Sequence, residues 1–258
     1  MPPSRRSSAD WARAGSEKPG QPVPLPAPAV PHCEHTTGTA ARREKGGEKM
    51  AGRILSGRPG TNYCQAMSRL PFVRYEDLNA DGQQVWDSIV GSRGSQLVNA
   101  EGGLSGPFNA FVTAPDVGRR LSALGATLRF GTSIERRLTE VAIITVGARW
   151  QSEFEWYAHS RMAREFGVPD AVVDAISRGE DPPFKAGDER VVYDAARQLG
   201  QDGHLDAATY AAAQQLLGDA GLVELVALCG YYSLISFLLN AFDVGLPPGQ
   251  PAVWPATP

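Results

Sequence analysis

The sequence changes character near residue 69, and this change limits what the chain can fold into. Residues 1–68 are rich in Pro, Gly, Ser and Arg and show no apolar periodicity. Such a segment cannot bury enough surface to offset the entropy of ordering it, so we predict a disordered arm. Met50 and Met67 are both candidate initiators, which leaves an over-extended start and a regulatory tail as two explanations of the arm.

Beyond residue 69 the apolar residues recur at helical spacing. Val117, Leu121 and Leu124 are separated by four and three positions, which is typical of one helix face. No segment has the alternation of a strand, and Gly and Pro stop signals divide the chain into helices. The sequence therefore predicts an all-α domain over 69–248, followed by a C-terminal tail over 249–258.

Capping signals indicate where several helices begin. Asn79 can cap a helix running to about Val90. Thr132-Ser133-Ile134-Glu135 has the pattern of a capping box and would start a helix running to about Ala148. Further helices are predicted over 152–166, 169–177, 188–199, 206–217 and 222–242.

Charge and cysteine usage exclude several classes of function. Residues 69–258 hold fifteen Lys and Arg against twenty-three Asp and Glu, so the helical part is acidic and lacks a basic stripe for nucleic acid. Cys33, Cys64 and Cys229 form neither an even disulfide framework nor a paired zinc spacing. We predict a reduced, cytoplasmic protein with no metal and no nucleic-acid partner.

The apolar segment 222–242 raises the question of a membrane span. It contains Glu224 and Asn240, is broken by Gly230 and has no flanking basic anchor, all of which disfavour a spanning helix. A helix that is apolar on every side belongs in a core or an oligomer interface. We predict no membrane association and burial of this segment at a subunit contact.

The stretch Trp150-Gln151-Ser152-Glu153-Phe154-Glu155-Trp156-Tyr157-Ala158-His159 places a hydroxyl, a carboxylate and an imidazole on one helical stripe. Ser152, Glu155 and His159 are spaced i, i+3 and i+7, so Glu155 and His159 can touch. Another carboxylate, Glu140, lies upstream in an apolar run. Because imidazole exchanges protons near neutral pH, we predict acid–base chemistry if these side chains lie in a pocket.

This order of residues resembles the carboxymuconolactone decarboxylase family, which includes the AhpD-type alkylhydroperoxidases. Those peroxidases carry Glu, Cys, Cys and His at the offsets of Glu140, Ser152, Glu155 and His159. The Glu-Phe-Glu-Trp-Tyr-Ala-His run is similar to the branch without these cysteines. The resemblance covers about 70–245 and implies an AhpD-like helical domain that forms a homo-oligomer, often a trimer or hexamer.

The resemblance also implies a decarboxylase-like enzyme, a lyase that acts on a small organic acid or lactone. No phosphate loop, metal motif or pyridoxal lysine signature is visible, so we expect chemistry without a cofactor. His159 would deliver a proton, supported by Glu155 or Glu140. Ser152 completes the predicted catalytic set.

Substrate binding is expected from residues close to the motif. Arg149 or Arg137 would hold a substrate carboxylate by paired hydrogen bonds. Trp156 and Tyr157 would form apolar walls that exclude water from a small pocket.

Three alternatives compete with this interpretation. Ser152 and Glu155 also have the pattern of a capping box, and His159 could be a packed structural residue in an oligomer that only binds a ligand. The third alternative is an AhpD-type thiol peroxidase. It needs a low-pKa thiolate and a resolving partner, and Ser152 and Glu155 supply neither, while Cys229 lies in apolar sequence.

Overall fold

The computed structural model describes residues 68–254, and the predicted arm therefore lies outside the described residues except for Ser68. The described part contains eight α-helices and no strand, which confirms the all-α prediction. The helices are α1 (Ala80–Arg93), α2 (Phe108–Thr113), α3 (Pro115–Phe130), α4 (Arg136–Arg149), α5 (Glu153–Glu165), α6 (Asp170–Arg178), α7 (Gly187–Asp202) and α8 (Ala207–Ala241).

Helix α4 lies at the centre of the larger core. Every residue from 138 to 147 is buried, because α5, α7 and α8 pack around it. Two threonines inside this stretch satisfy their hydroxyls within the helix: Thr139 donates to Glu135 O at 3.2 Å and Thr145 to Val141 O at 2.7 Å. A side chain on α4 is therefore held in a dry and rigid environment.

A second, smaller core joins α1, α2 and the end of α8. Ile89 and Phe111 are buried there against Ile235 and Leu239. Helix α2 was not predicted, because six residues are too few to establish a helical period. The predicted cap of α1 is confirmed, since Asn79 Oδ1 accepts a hydrogen bond from Gly82 N at 2.8 Å.

The predicted capping box at the start of α4 is wrong. Glu135 occupies the cap position and makes no side-chain cap. Ser133 instead donates from its backbone N and from Oγ to Glu224 of α8, at 2.9 and 2.7 Å. The Thr132 hydroxyl, which the box would use as the cap, donates to Leu128 O at 3.4 Å. The Ser133 contact gives the Glu224 carboxylate on the apolar helix two hydrogen bonds.

Helix α8 is kinked at Gly218, whose backbone lies at φ 69° and ψ 176°. This kink falls between the two helices that the sequence predicts. Among the described residues, α8 is the one helix long and apolar enough to cross a membrane by length and composition. Core helices of soluble proteins pass the same test, and α8 contributes Leu225, Leu228 and Ile235 to the two cores.

The described part of the C-terminal tail lies against α5 and α6. The backbone N–H groups of Val253 and Trp254 donate to the carboxylate of Glu153 at 2.7 to 3.0 Å. The Trp254 indole donates to Ser177 O at 3.0 Å and stacks edge to face with Trp156, with 5.3 Å between ring centroids. The tail therefore covers the first turn of the helix that carries the motif.

The α2–α3 contact predicts a matched pair of glycine substitutions. A Cβ on Gly118 would lie 2.2 Å from the backbone O of Phe111, so Gly118→Ala is expected to lower the free energy of unfolding by about 1–3 kcal/mol. Gly91 on α1 has no atom within 4 Å of such a Cβ, and Gly91→Ala should raise stability by about 0.5–1 kcal/mol. Urea denaturation of both variants measures the difference, and equal effects would contradict the described packing.

Candidate active site

Two helices and a tight connection bring the motif residues together. Helix α4 ends at Arg149, the chain turns through Gln151 in the left-handed region at φ 47°, and α5 begins at Glu153. The two helices approach each other at Gly147, where a Cβ would be in ordinary van der Waals contact with Glu155 Cβ, at 3.7 Å. Glu140 on α4 and His159 on α5, which are 19 residues apart in sequence, therefore face each other.

His159 lies between two buried carboxylates. Its Nδ1 is 2.7 Å from Glu140 Oε2, and its Nε2 is 3.4 Å from Glu155 Oε2. Glu140 is fully buried, and the other two side chains are 5% exposed. The three titratable groups that the sequence predicts to act together do meet in the structure.

Arg136 determines which group donates in the hydrogen bond between Glu140 and His159. Its Nη2 donates to Glu140 Oε1 at 2.9 Å, so both carboxylate oxygens of Glu140 have partners. A carboxylate paired with a guanidinium can only accept, which makes His159 Nδ1 the donor. The other ring nitrogen, Nε2, is the one that lies next to Glu155.

The carboxyl group of Glu155 is in a different environment. Burial raises its pKa above the usual value, and the nearby Glu140 adds to this, while His159 and Arg129 oppose it. Glu155 Oε2 has no hydrogen-bond partner among the described residues. A buried carboxyl group with a raised pKa beside an imidazole is suited to proton transfer.

Tyr232 of α8 closes one side of the cluster. Its ring meets the His159 ring edge to face, with centroids 5.0 Å apart. Burial raises the pKa of the Tyr232 phenol well above 10, so the group remains neutral. The imidazole therefore has one wall that is apolar and holds its ring plane in place.

Ser152 does not form the predicted capping box with Glu155. Its backbone N–H donates to Gly147 O at 3.0 Å, so Glu155 has no free donor to return to. Its hydroxyl makes no side-chain cap, is fully buried and has no partner among the described residues. The capping alternative is wrong, and both polar groups of this pair are left available for other partners.

The predicted substrate-binding arginines lie in other surroundings. Arg137 donates to Glu189 at 2.6 Å and to Asp188 at 2.7 Å, and these carboxylates raise the pKa of its guanidinium. Arg149 is exposed, with its guanidinium 4.9 Å from the Trp150 ring centroid. To bind a substrate carboxylate at the cluster, Arg137 would have to break its ion pairs with Glu189 and Asp188. Arg149 would have to rotate from the surface towards the cluster.

The two predicted wall residues differ. Trp156 is buried in the larger core against Trp254, so it packs the helix rather than lining a cavity. Tyr157 is half-buried and contacts Phe154, with Arg161 5.8 Å from its ring centroid. Two grooves of 290 and 640 Å³ occur on the described surface, and both are lined by residues outside the motif.

Three site residues were missed by the sequence prediction as members of the site. Arg136 carried a signal, because it lies one helical turn before Glu140. Arg129 and Tyr232 come from α3 and α8, and no local spacing connects them to the motif. Only the tertiary fold brings these two side chains to the cluster.

Comparison with known proteins identifies the fold. No family model and no curated protein matches the sequence. The structure is similar to the alkylhydroperoxidase AhpD core of an uncharacterized peroxidase-related protein from Ralstonia eutropha JMP134, at 15% identity and TM-score 0.57 over 70% of this chain and 93% of that chain. An uncharacterized peroxidase-related protein from Silicibacter sp. TM1040 matches at 14% identity and TM-score 0.57, over 74% of this chain and 99% of that one.

The described domain therefore has the AhpD-like helical fold, as the resemblance in the motif implies. At these identities the likeness concerns the fold alone. The chemistry has to be argued from the side chains of this chain.

Proposed function

We propose that the protein is an enzyme that moves protons on a small organic acid or lactone without a bound cofactor, with loss of carbon dioxide as the favoured reaction. One observation carries this proposal: His159 lies between the buried carboxyl groups of Glu140 and Glu155, at 2.7 and 3.4 Å. A histidine held between two buried carboxyl groups in unlike surroundings can pass a proton in either direction.

The decarboxylation would need only these groups. The bond between the carboxylate carbon and its neighbour breaks, carbon dioxide leaves, and the electron pair remains on the substrate as an enolate-like carbanion. The proton comes from Glu155, directly or through His159 Nε2, and forms the new C–H bond. Glu140, anchored by Arg136, stabilises the positive charge whenever the imidazole is protonated.

A thiol peroxidase is the main competing function, because the structurally similar proteins are described as peroxidase-related. Peroxide reduction requires a thiolate. Ser152 and Glu155 occupy the positions of the family's two cysteines. Cys229 is fully buried, and burial raises the pKa of its thiol to about 12. The described site therefore supports acid–base chemistry better than thiol chemistry.

The test is carbon dioxide release from a panel of lactone acids and β-keto acids, measured with the wild-type protein and with His159→Gln. We expect one member of the panel to turn over and the variant to lose about 100-fold to 1,000-fold in rate. The same protein is assayed for peroxide reduction with a dithiol. Peroxide turnover without carbon dioxide release, or equal rates for both proteins, would overturn the proposal.

We also propose that the protein assembles as a homo-oligomer through α8. Val223 and Val226 are 68% and 42% exposed on this helix, and Leu234 and Phe237 continue the apolar stripe towards its end. Contiguous exposed apolar surface of this kind marks an interaction site. A second copy is the favoured occupant, because the resemblance implies self-assembly.

Disrupting this stripe is expected to dissociate the oligomer. Val223→Glu combined with Val226→Glu places two charges in the contact, whose burial would cost several kcal/mol, while the exposed positions tolerate them in the monomer. Size-exclusion chromatography with light scattering measures the mass. Val98→Glu, an exposed apolar residue before α2, is the control. A wild-type monomer, or an unchanged mass in the double variant, would contradict the proposal.

A further inference from the structure

Two arginines from different helices lie near the motif without a carboxylate partner. Arg93 is in the last turn of α1, and Arg129 is in the last turn of α3. Both are half-buried, and the ion pairs among residues 68–254 include neither of them. Most other arginines of the domain are paired, Arg136, Arg137 and Arg164 among them.

Arg129 holds a donor that nothing in the described chain uses. Its Nε is buried and has no hydrogen-bond partner among the described residues. Its Nη2 reaches only the thioether sulfur of Met162, at 3.3 Å, which is a weak acceptor. An unpartnered buried N–H is costly, so a partner such as an ordered water, an ion or a ligand is expected for this group.

The positive charges of Arg93 and Arg129 act on each other. Burial lowers the pKa of Arg93, and the positive charge of Arg129 lowers it further. Arg93 lies on the Phe108 ring, 5.1 Å from its centroid, and its one side-chain hydrogen bond is to Ser92 Oγ at 3.0 Å. An anion that binds between two like charges in a partly buried site reduces the repulsion between them.

Tyr231 adds a neutral donor to this pair. A Cβ on Gly125 would lie 2.3 Å from Tyr231 Oη, so the glycine makes room for the phenol one turn before Arg129. Burial raises the pKa of Tyr231 to about 12, so its hydroxyl keeps its proton. No hydrogen bond within the described domain uses that hydroxyl.

These groups adjoin the proposed catalytic side chains. The Tyr231 ring is 5.3 Å from the Tyr232 ring, which in turn contacts His159. Met162, the contact of Arg129, lies three residues after His159 on α5. Both arginines are more exposed than Glu155, so they border the cluster on a side that solvent can reach.

We propose that Arg93, Arg129 and the Tyr231 hydroxyl form a carboxylate-binding subsite that holds an organic anion beside Glu155 and His159. The ligand class is a small acid whose bound carboxylate is retained while a neighbouring carbon reacts. Calling this ligand the substrate rests on the proposed function, whereas binding of the anion does not. The arginines predicted from the sequence, Arg149 and Arg137, are replaced in this role.

Binding is tested on the full chain with sodium malonate, succinate and acetate against sodium chloride at equal ionic strength. Thermal shift titrations give the affinity, and the NMR signal of the Arg129 Nε–H group reports on the site directly. We expect saturable stabilisation by at least one carboxylate and a shift of that signal. Arg129→Gln and Arg93→Gln should each weaken binding about 10-fold or more.

Arg129→Lys keeps the charge but loses the paired donors, and it should be intermediate. Arg120→Gln, on the exposed side of α3, should bind like the wild type. Binding that depends on Arg149 instead, or no saturable binding, would overturn the subsite. His159→Gln separates the two proposals: it should lower the turnover rate about 100-fold to 1,000-fold and leave malonate binding intact. Binding without turnover of any acid would refute the proposed function alone.

Discussion

Replacing Glu140 with alanine is expected to lower the free energy of unfolding by about 3–5 kcal/mol, because removing one member of a buried ionic cluster leaves the others uncompensated. Glu140 is fully buried and accepts from Arg136 at 2.9 Å and from His159 at 2.7 Å. The alanine variant would leave a guanidinium and an imidazole without their acceptor inside the core. Urea denaturation followed by circular dichroism measures the change.

Two variants separate this effect from a general loss of packing. Glu140→Gln keeps the shape and one acceptor, so it should lose less than the alanine variant. Glu165→Ala, at an exposed position on α5, should change stability by no more than about 0.5 kcal/mol. A loss below about 1 kcal/mol for Glu140→Ala would mean that the described cluster does not hold the helices together.

The half of the site that lies on single helices could be predicted from the sequence. Glu155 and His159 are four residues apart on α5, and Arg136 and Glu140 are four apart on α4. Helical geometry alone brings such pairs together. The contact between the pairs was predicted only through the resemblance, since no local rule fixes how α4 and α5 pack.

Contacts between distant segments could not be predicted in this way. The capping-box patterns that start at Thr132 and Ser152 were both wrong, because the Thr132 hydroxyl donates to Leu128 O and the Ser152 backbone donates to Gly147 O. Ser133, inside the first pattern, donates to the distant Glu224. A capping pattern predicts a hydrogen bond that forms only when the side chain has no better hydrogen-bond partner. Here the preceding helix supplied the acceptor in both cases, and only the Ser133–Glu224 contact joins distant segments.

Ser152 and Glu155 stand at the sequence offsets at which, by the resemblance, the AhpD-type peroxidases carry cysteines. Ser152 and Glu155 are both buried, and both carry polar atoms without partners among residues 68–254. A thiol pair would use the same space for redox chemistry, whereas a buried carboxyl group beside His159 can only exchange protons. The fold alone therefore does not decide the reaction, which depends on the side chains that this chain places in the site.

Glu155→Gln is expected to make the protein more stable at neutral pH and less sensitive to pH. Burial raises the pKa of Glu155 in the folded state above its usual value of 4.5. At a pH between the pKa of Glu155 in the unfolded state and its higher pKa in the folded state, the folded state holds a proton that the unfolded state has released. Stability therefore falls as the pH rises through this range. The loss is about 1.4 kcal/mol for each pH unit in this window, and it is absent below the unfolded pKa.

The glutamine variant has no proton to lose, so its advantage over the wild type should grow from pH 4.5 upward and then level off once the folded-state group ionises. Free energies of unfolding measured in urea at several values up to about pH 8 give the difference curve. Glu165→Gln, on the exposed side of α5, should give a flat curve. A Glu155→Gln difference that stays constant, or that shrinks as the pH rises, would show that Glu155 is ionised in the folded protein and would remove the acid from the proposed reaction.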